Sequence, residues 1–487
     1  MNKPFLFTVC VSSLLSAGCK SKTGESASPN IILILADDLG YGDIRYLNVN
    51  SKIPTPNLDR LCNDGMYFTD AHSNSAVSTP TRYGILTGRY CFRSSLKQGV
   101  LFGYDKPLIE RERPTVASLL QTKNYHTACV GKWHLGLGWQ AIDASRPIDS
   151  GNVDYSKKVD YSPNDIGFDY SYIIPASLDM TPYVYLEDGS VVDSRIVNLD
   201  GANTPRGNFW RGGEASQSFT IDDCLDHLLG KVKQYFINRR KEKQPFFLYF
   251  PLTAPHTPWL PAERFRGISG AGTYGDFVAH VDFVVGQIVS TIDSLGLSNN
   301  TLIIFTSDNG ADWKPDDKAR YPHLANYIFR GEKSDVWDGG HHIPFIVKYP
   351  GKVAAQSSSD ALICLTDFFS TFAELTGAFI PETAAEDSQS FLGALQGSGK
   401  ARDEIVNHSI NGNFAIRIGE WKLVNCSGSG GWSANEDPLL PPVQLYNMKN
   451  DPEESKNLYE QHPEKVEELK NRLDLIYPEN NSSPESR

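Results

Sequence analysis

Five short stretches of the chain are apolar on both faces: NIILILADD (30–38), HTACVGKW (126–133), PFFLYFPL (245–252), TLIIFTSD (301–308) and HIPFIVKYP (342–350). Such runs predict buried strands, the pattern of a parallel sheet. Between them the period becomes helical. In residues 219–237, Ile221, Cys224, Leu225, Leu228, Leu229 and Val232 recur at helix spacing, as do Val278, Val281, Val285, Ile288 and Ile292 in 275–295. Strand–helix alternation predicts a doubly wound α/β sheet with helices on both faces. Two regions break the pattern. Residues 139–217 are rich in Asp, Ser, Gly, Tyr and Pro and read as a long excursion over the sheet edge, a length more often functional than idle. After about residue 400, FAIRIGEWKLVN, VQLYNM and a charged helix at 463–476 predict a small antiparallel sheet with one helix.

The amino terminus changes the picture next. Residues 1–19 combine Lys3, an apolar run and small residues, which predicts a secretory signal, and 20–28 read as a polar tether. Ser-Ala-Gly-Cys is similar to a bacterial lipoprotein cleavage site, with Cys19 as the lipid-anchored residue. The protein is therefore expected to be exported, to the periplasm or as an outer-membrane lipoprotein. Residues 477–487 read as a disordered tail. The 487 residues are 40% hydrophobic and 21% charged, which is ordinary globular composition, and the net charge of −12 argues against nucleic acid as a partner. Beyond the leader, the cysteines show no CxxC spacing, so no structural zinc site is predicted.

The candidate chemistry lies in where the polar residues fall. Asp37 and Asp38 end the first strand, Lys132 and His134 follow the second, His256 the third, and Asp308 and Asn309 the fourth. Ligands of open α/β sheets bind beyond these carboxyl ends. Asp37, Asp38, Asp308 and Asn309 offer only oxygen, the donor set of a hard cation such as Ca²⁺ or Mg²⁺. Arg82, Lys132, His134, His256 and Lys333 form a cationic, proton-donating set. A metal with such a ring suits a tetrahedral oxyanion. Within AHSNSAVSTPTRYGILTGRY (71–90), Ser78 is the evident nucleophile, ahead of a helix opened by Pro80. Serine before such a proline also reads as an ordinary helix cap.

These residues carry a resemblance. STPTRYGILTG (78–88) resembles the sulfatase signature, and ADDLGYGD, GKWHLG, APHTP, SDNG and FRGEKSDVWDGGHHIPF resemble that family's later motifs in order. RIGEWKLV and LYNMKNDPEESKNL are similar to its C-terminal subdomain. The resemblance implies an alkaline-phosphatase-like sandwich over 29–400, built on a large mixed, mostly parallel sheet flanked by helices. A smaller C-terminal α+β domain with an antiparallel sheet would occupy 401–476. It further implies a sulfuric ester hydrolase in which Ser78 is oxidised to formylglycine by an anaerobic radical-type maturase, with one Ca²⁺ on Asp37, Asp38, Asp308, Asn309 and the modified Ser78. Arg82 and Lys132 would neutralise the sulfate. His256, with Lys333, would protonate the departing alcohol, and His134 would serve as base. Segments 174–189 and 407–417 are similar to those of bacterial carbohydrate sulfatases. They point to sulfated galactose or N-acetylgalactosamine as substrate, with Asp179 and His408 contacting sugar hydroxyls. Two alternatives stand beside this: a phosphodiesterase or phosphatase of the same superfamily using unmodified Ser78, and a non-catalytic glycan-binding lipoprotein.

Overall fold

A computed structural model describes Met1 and residues 28–204, 206–399, 401–433 and 440–477. All of the leader but Met1, Cys19 included, nearly all of the tether and all but the first residue of the tail lie outside the described residues.

The main sheet is built from β1 (Asn30–Asp37), β2 (Met66–Phe68), β3 (His126–Lys132), β4 (Tyr170–Ile174), β5 (Leu186–Glu187), β6 (Ser190–Val191), β7 (Phe246–Pro255), β8 (Thr301–Ser307), β9 (Phe345–Lys348) and β10 (Ser357–Ser359). Their order across the sheet is β10-β2-β9-β8-β1-β7-β3-β4-β5-β6. The central run β8-β1-β7-β3-β4 is parallel, as the apolar runs predict. The run at 342–350 differs, because β9 lies antiparallel to β8. No crossover helix returns the chain between them. Residues 308–344 stay beyond the carboxyl end of β8, so the next strand must start there and run back. The expected excursion also contains β4, a fifth parallel strand masked in the sequence by flanking Asp, Ser and Pro.

The helices that pack on this sheet include α1 (Pro56–Asp64), α2 (Ser78–Thr87), α3 (Val116–Gln121), α4 (Cys224–Arg239), α5 (Gly272–Ser294) and α6 (Phe368–Thr376). Alternate residues of β1 serve two cores. Ile31, Leu33 and Leu35 pack with Tyr83, Leu86, Leu119 and Phe372 on one face. Ile32, Ile34 and Ala36 pack with Leu58, Leu228, Val281 and Val285 on the other. This is why the strand is apolar throughout: each side chain leaves water, worth about 1.5–3 kcal/mol per large aliphatic.

A second sheet, β11 (Glu404–His408), β12 (Phe414–Ile418), β13 (Trp421–Val424) and β14 (Gln444–Asn447), is antiparallel and is covered by α7 (Pro463–Ile476). Leu469 and Leu473 of α7 join Ile405, Ile416 and Leu445 in a core that also takes Tyr90 and Phe92 from the first unit. A buried ionic knot fixes the two units together. Lys422 Nζ, on β13, donates to Asp338 Oδ1 at 2.6 Å and lies 2.7 Å from Glu454 Oε1. Burial, with the Asp338 charge beside it, raises the Glu454 carboxyl to about 7 even though Lys422 pulls it down. Lys422→Met should therefore cost about 3 kcal/mol, the penalty of leaving buried carboxylates without their cation. Urea unfolding followed by tryptophan emission would measure it, and an unchanged midpoint would show that the knot adds nothing.

Candidate active site

Ser78 is the first residue of α2 and does not cap it. The N-cap is Val77, which has no side-chain bond to the helix. Ser78 Oγ instead donates to Asp37 Oδ1 at 3.3 Å, so the helix-cap reading of this serine fails. The helix ends at Gly88, in the left-handed region at φ 65°, where a Cβ would lie 2.8 Å from Phe369 Cβ. Arg82, one turn along α2, is wholly buried. It donates to Asp308 Oδ2 from Nη2 (2.7 Å) and Nε (3.2 Å), and to the Lys132 carbonyl at 3.2 Å. Its Nη2 is also 3.3 Å from Asp37 Oδ1.

Lys132, at the end of β3, donates to Asp37 Oδ2 at 2.7 Å and to Ser177 Oγ at 3.2 Å. Lys333 donates to Asp38 Oδ2 at 2.7 Å, and His256 Nε2 lies 3.8 Å from the same oxygen. The ten expected catalytic and metal residues thus meet in one buried cluster at the carboxyl ends of β1, β3, β7 and β8. Ser177, which bonds both Lys132 Nζ and His256 Nδ1 at 3.2 Å, was not anticipated. A lone serine in an irregular segment carries no signal of its own. Asp38 (φ 66°), His134 (φ 58°) and Ser334 (φ 82°) are left-handed without being glycine. Such strain collects where surrounding structure aims side chains at a site.

The electrostatics follow from burial. Burial opposes the Asp37 carboxylate, yet Lys132, His256, Arg82 and Lys333 hold it ionised, well below the usual carboxylate range. Asp308 is pushed upward by burial and by the Asp37 charge, against Arg82 and Lys132. Burial, with Lys132 and Arg82 nearby, drives His134 far down, so its imidazole is neutral. Its Nε2–H donates to the Leu101 carbonyl at 2.7 Å, which leaves Nδ1 bare, buried and without a partner among the described residues. A neutral histidine with a free lone pair is a base awaiting a proton.

The residues fit a hard cation. Asn309 commits its amide nitrogen to Asp38 Oδ1 (2.7 Å) and the Gly310 carbonyl (2.9 Å), while Oδ1 is buried without a partner among the described residues. With Asp37, Asp38 and Asp308, that orphan oxygen completes an anionic oxygen cage of the kind calcium takes.

Ser78, His134, His256 and Lys333 open into a cavity of about 700 Å³, also lined by Asp179, Arg211, Phe209, Met180 and Trp432. Asp179 stands in this wall, with Oδ2 on Arg211 Nη1 at 2.7 Å and Oδ1 without a partner among the described residues. His408 does not line it. Its ring is 3% exposed and packed against Phe414, and Nδ1 donates to the Ser409 carbonyl at 3.0 Å. The expected contact with a sugar hydroxyl is replaced by a structural role at the end of β11. His341 and His342 do not line the cavity either: His341 bonds His72, and His342 stacks on Phe329.

Burial lowers His408 from its ordinary 6.5 to about 4. The unfolded chain then binds the proton first, so this group's stabilisation is complete above 6.5 and is lost as pH falls through about 4. His408→Gln should flatten the acid side of the stability profile by up to about 3 kcal/mol, read from melting temperature against pH. An unchanged acid limb would reject that origin.

Comparison with known proteins agrees with the geometry. The family model for sulfatases matches residues 29–378, well over half of the chain. The chain belongs to the sulfatase family. It is a sulfuric ester hydrolase. Residues 331–477 of this sulfatase match the model described as N-sulphoglucosamine sulphohydrolase, C-terminal. The sulfatase is 36% identical to an N-acetylgalactosamine-6-O-sulfatase of Bacteroides thetaiotaomicron, covering 95% of this chain and 96% of that one. It is 30% identical to human arylsulfatase A, over 88% and 83% of the two chains. A solved structure connected with the metabolism of multiple glycosaminoglycans by Bacteroides thetaiotaomicron superposes with a TM-score of 0.80 at 34% identity, covering 93% and 99%.

Proposed function

We propose that this sulfatase is an exported, calcium-dependent carbohydrate sulfatase that removes 6-O-sulfate from N-acetylgalactosamine or galactose units, with Ser78 converted to formylglycine. The observation that carries the chemistry is the meeting of Ser78, the bare Nδ1 of His134, His256 and Lys333 on one cavity above the carboxylate cage. The sugar comes from the likeness to a named N-acetylgalactosamine-6-O-sulfatase. Export rests on the leader in residues 1–19, anchoring on Cys19, and the modification on a radical-type maturase acting at a serine.

Asp37, Asp38, Asp308 and Asn309 would hold the calcium, which would polarise the sulfate and favour the ionised nucleophile. Formylglycine at residue 78 would supply two hydroxyls on one carbon, one to attack sulfur and one to expel it afterwards. The chain's own groups do the remainder. Arg82 and Lys132 put positive charge beneath the oxyanion. His256 fixes Nδ1–H on the Thr257 carbonyl, so Nε2 faces the cavity and can carry a proton to the departing sugar oxygen. Lys333, its charge anchored on Asp38, stabilises the same oxygen. His134 Nδ1 accepts the proton of the second hydroxyl.

Protein co-expressed with the maturase should release sulfate from 6-sulfated N-acetylgalactosamine and leave the 4-sulfate intact. Its Ser78 peptide should be two hydrogens lighter than serine requires. A chelator should lower the rate by roughly a hundredfold or more, with calcium restoring it. Full activity with an unmodified peptide would refute the proposal.

A further inference from the structure

One side of the cavity carries, next to Lys333, groups that the proposed sulfate chemistry does not use; there the Trp432 ring centre lies 5.7 Å from Lys333 Nζ. Trp432, from the C-terminal unit, is 47% exposed and faces the cavity. The loop holding this tryptophan is clamped to the segment that carries Lys333. Trp432 N donates to Ser334 Oγ at 2.9 Å, Ser433 N to Asp335 Oδ1 at 3.2 Å, and Gly431 approaches so closely that a Cβ would lie 2.3 Å from the Ser334 carbonyl oxygen. Ser334 N in turn donates to the Ala76 carbonyl at 2.8 Å, two residues before Ser78. The backbone that carries the indole is therefore tied to the segment that leads into the serine.

Beside the indole stand Asp312 and Lys314, both in the cavity wall. Asp312 Oδ2 is taken by Arg206 Nη1 at 3.0 Å, while Oδ1 is buried without a hydrogen-bond partner among the described residues. Lys314 is 44% exposed, and its Nζ lies 3.9 Å from that Oδ1, too far for a direct bond, and 5.8 Å from the Trp432 ring centre. A gap of this width between an acceptor and a cationic donor suits one hydroxyl, which donates to the carboxylate and accepts from the ammonium. A sugar ring presents both features at once, an apolar face for the indole and a hydroxyl at its edge.

Resting on the carbohydrate reading above, we infer that Trp432, Asp312 and Lys314 form an outer subsite for the sugar joined to the sulfated one, so that the substrate is an oligosaccharide. The ring lies on Trp432, and one of its hydroxyls bridges Asp312 Oδ1 and Lys314 Nζ.

The test compares kcat/KM for a sulfated monosaccharide with that for the same sulfated sugar linked to a second hexose, in matured parent, Trp432→Ala, Lys314→Met and Asp312→Asn proteins. The parent should prefer the disaccharide. In each variant the disaccharide-to-monosaccharide ratio should fall roughly tenfold, the scale of one lost hydrogen bond to a charged group or one lost stacking contact. Lys314 and Trp432 are exposed, so those two variants keep the test intact if Asp312→Asn folds poorly. A parent that cleaves both substrates equally, or variants that slow both alike, would overturn the subsite while leaving the sulfatase reading standing. A parent that cleaves no sulfated sugar would sink the carbohydrate reading, and the subsite with it.

Discussion

With alanine in place of Ser78, sulfate release is expected to fall by roughly 10⁴-fold or more, while stability changes by less than about 1 kcal/mol. The contrast follows from the contacts. Among the described residues Ser78 Oγ has only long bonds, 3.3 Å to Asp37 and 3.4 Å from Lys132, and those two partners hold each other at 2.7 Å without it. No helix cap is lost, because Val77 occupies that position. A hydroxyl so weakly tied is costly only to chemistry. Ion chromatography of released sulfate and a thermal melt report the two halves separately, and a fully active Ser78→Ala protein would end the argument.

Arg82→Met should be the most damaging single change to stability, at about 3–5 kcal/mol in chelator-treated protein. Methionine keeps much of the stem but removes the charge that Asp308 and Asp37 share. Three buried carboxylates, Asp37, Asp38 and Asp308, would then face Lys132, Lys333 and His256 alone among the described residues in the apo protein. Added calcium should return part of the loss, because a ligand that binds only the folded state stabilises it by mass action. Urea unfolding with and without calcium measures both effects. An unchanged midpoint would mean that the guanidinium does not neutralise the cage.

The central sheet and the ends of its strands were readable because burial on both faces leaves no Asp, Glu, Lys or Arg except where a strand stops. Asp37, Lys132 and Asp308 stand out against NIILILA, HTACVG and TLIIFTS for that reason. The reading failed where partners come from tertiary packing. β9 looks like its parallel neighbours, since strand direction leaves no trace in a short apolar run. His408 carried the polarity of a contact residue, but β11 turns it into the interior. Asp312, Lys314 and Arg206 look like ordinary loop charges in sequence. Only their meeting over one cavity separates them from the solvated majority.

The seat of Ser78 is closed by distant chain. Ala76 N donates to the His408 carbonyl at 3.0 Å, Asn407 Nδ2 to the Ser73 carbonyl at 2.6 Å, and in the finished fold the serine is 2% exposed. During synthesis, the ribosome must therefore deliver more than three hundred further residues before residue 78 can be enclosed. On the proposed formylglycine reading, the segment would stand open to the maturase until then, and the docking of β11 would end that opportunity.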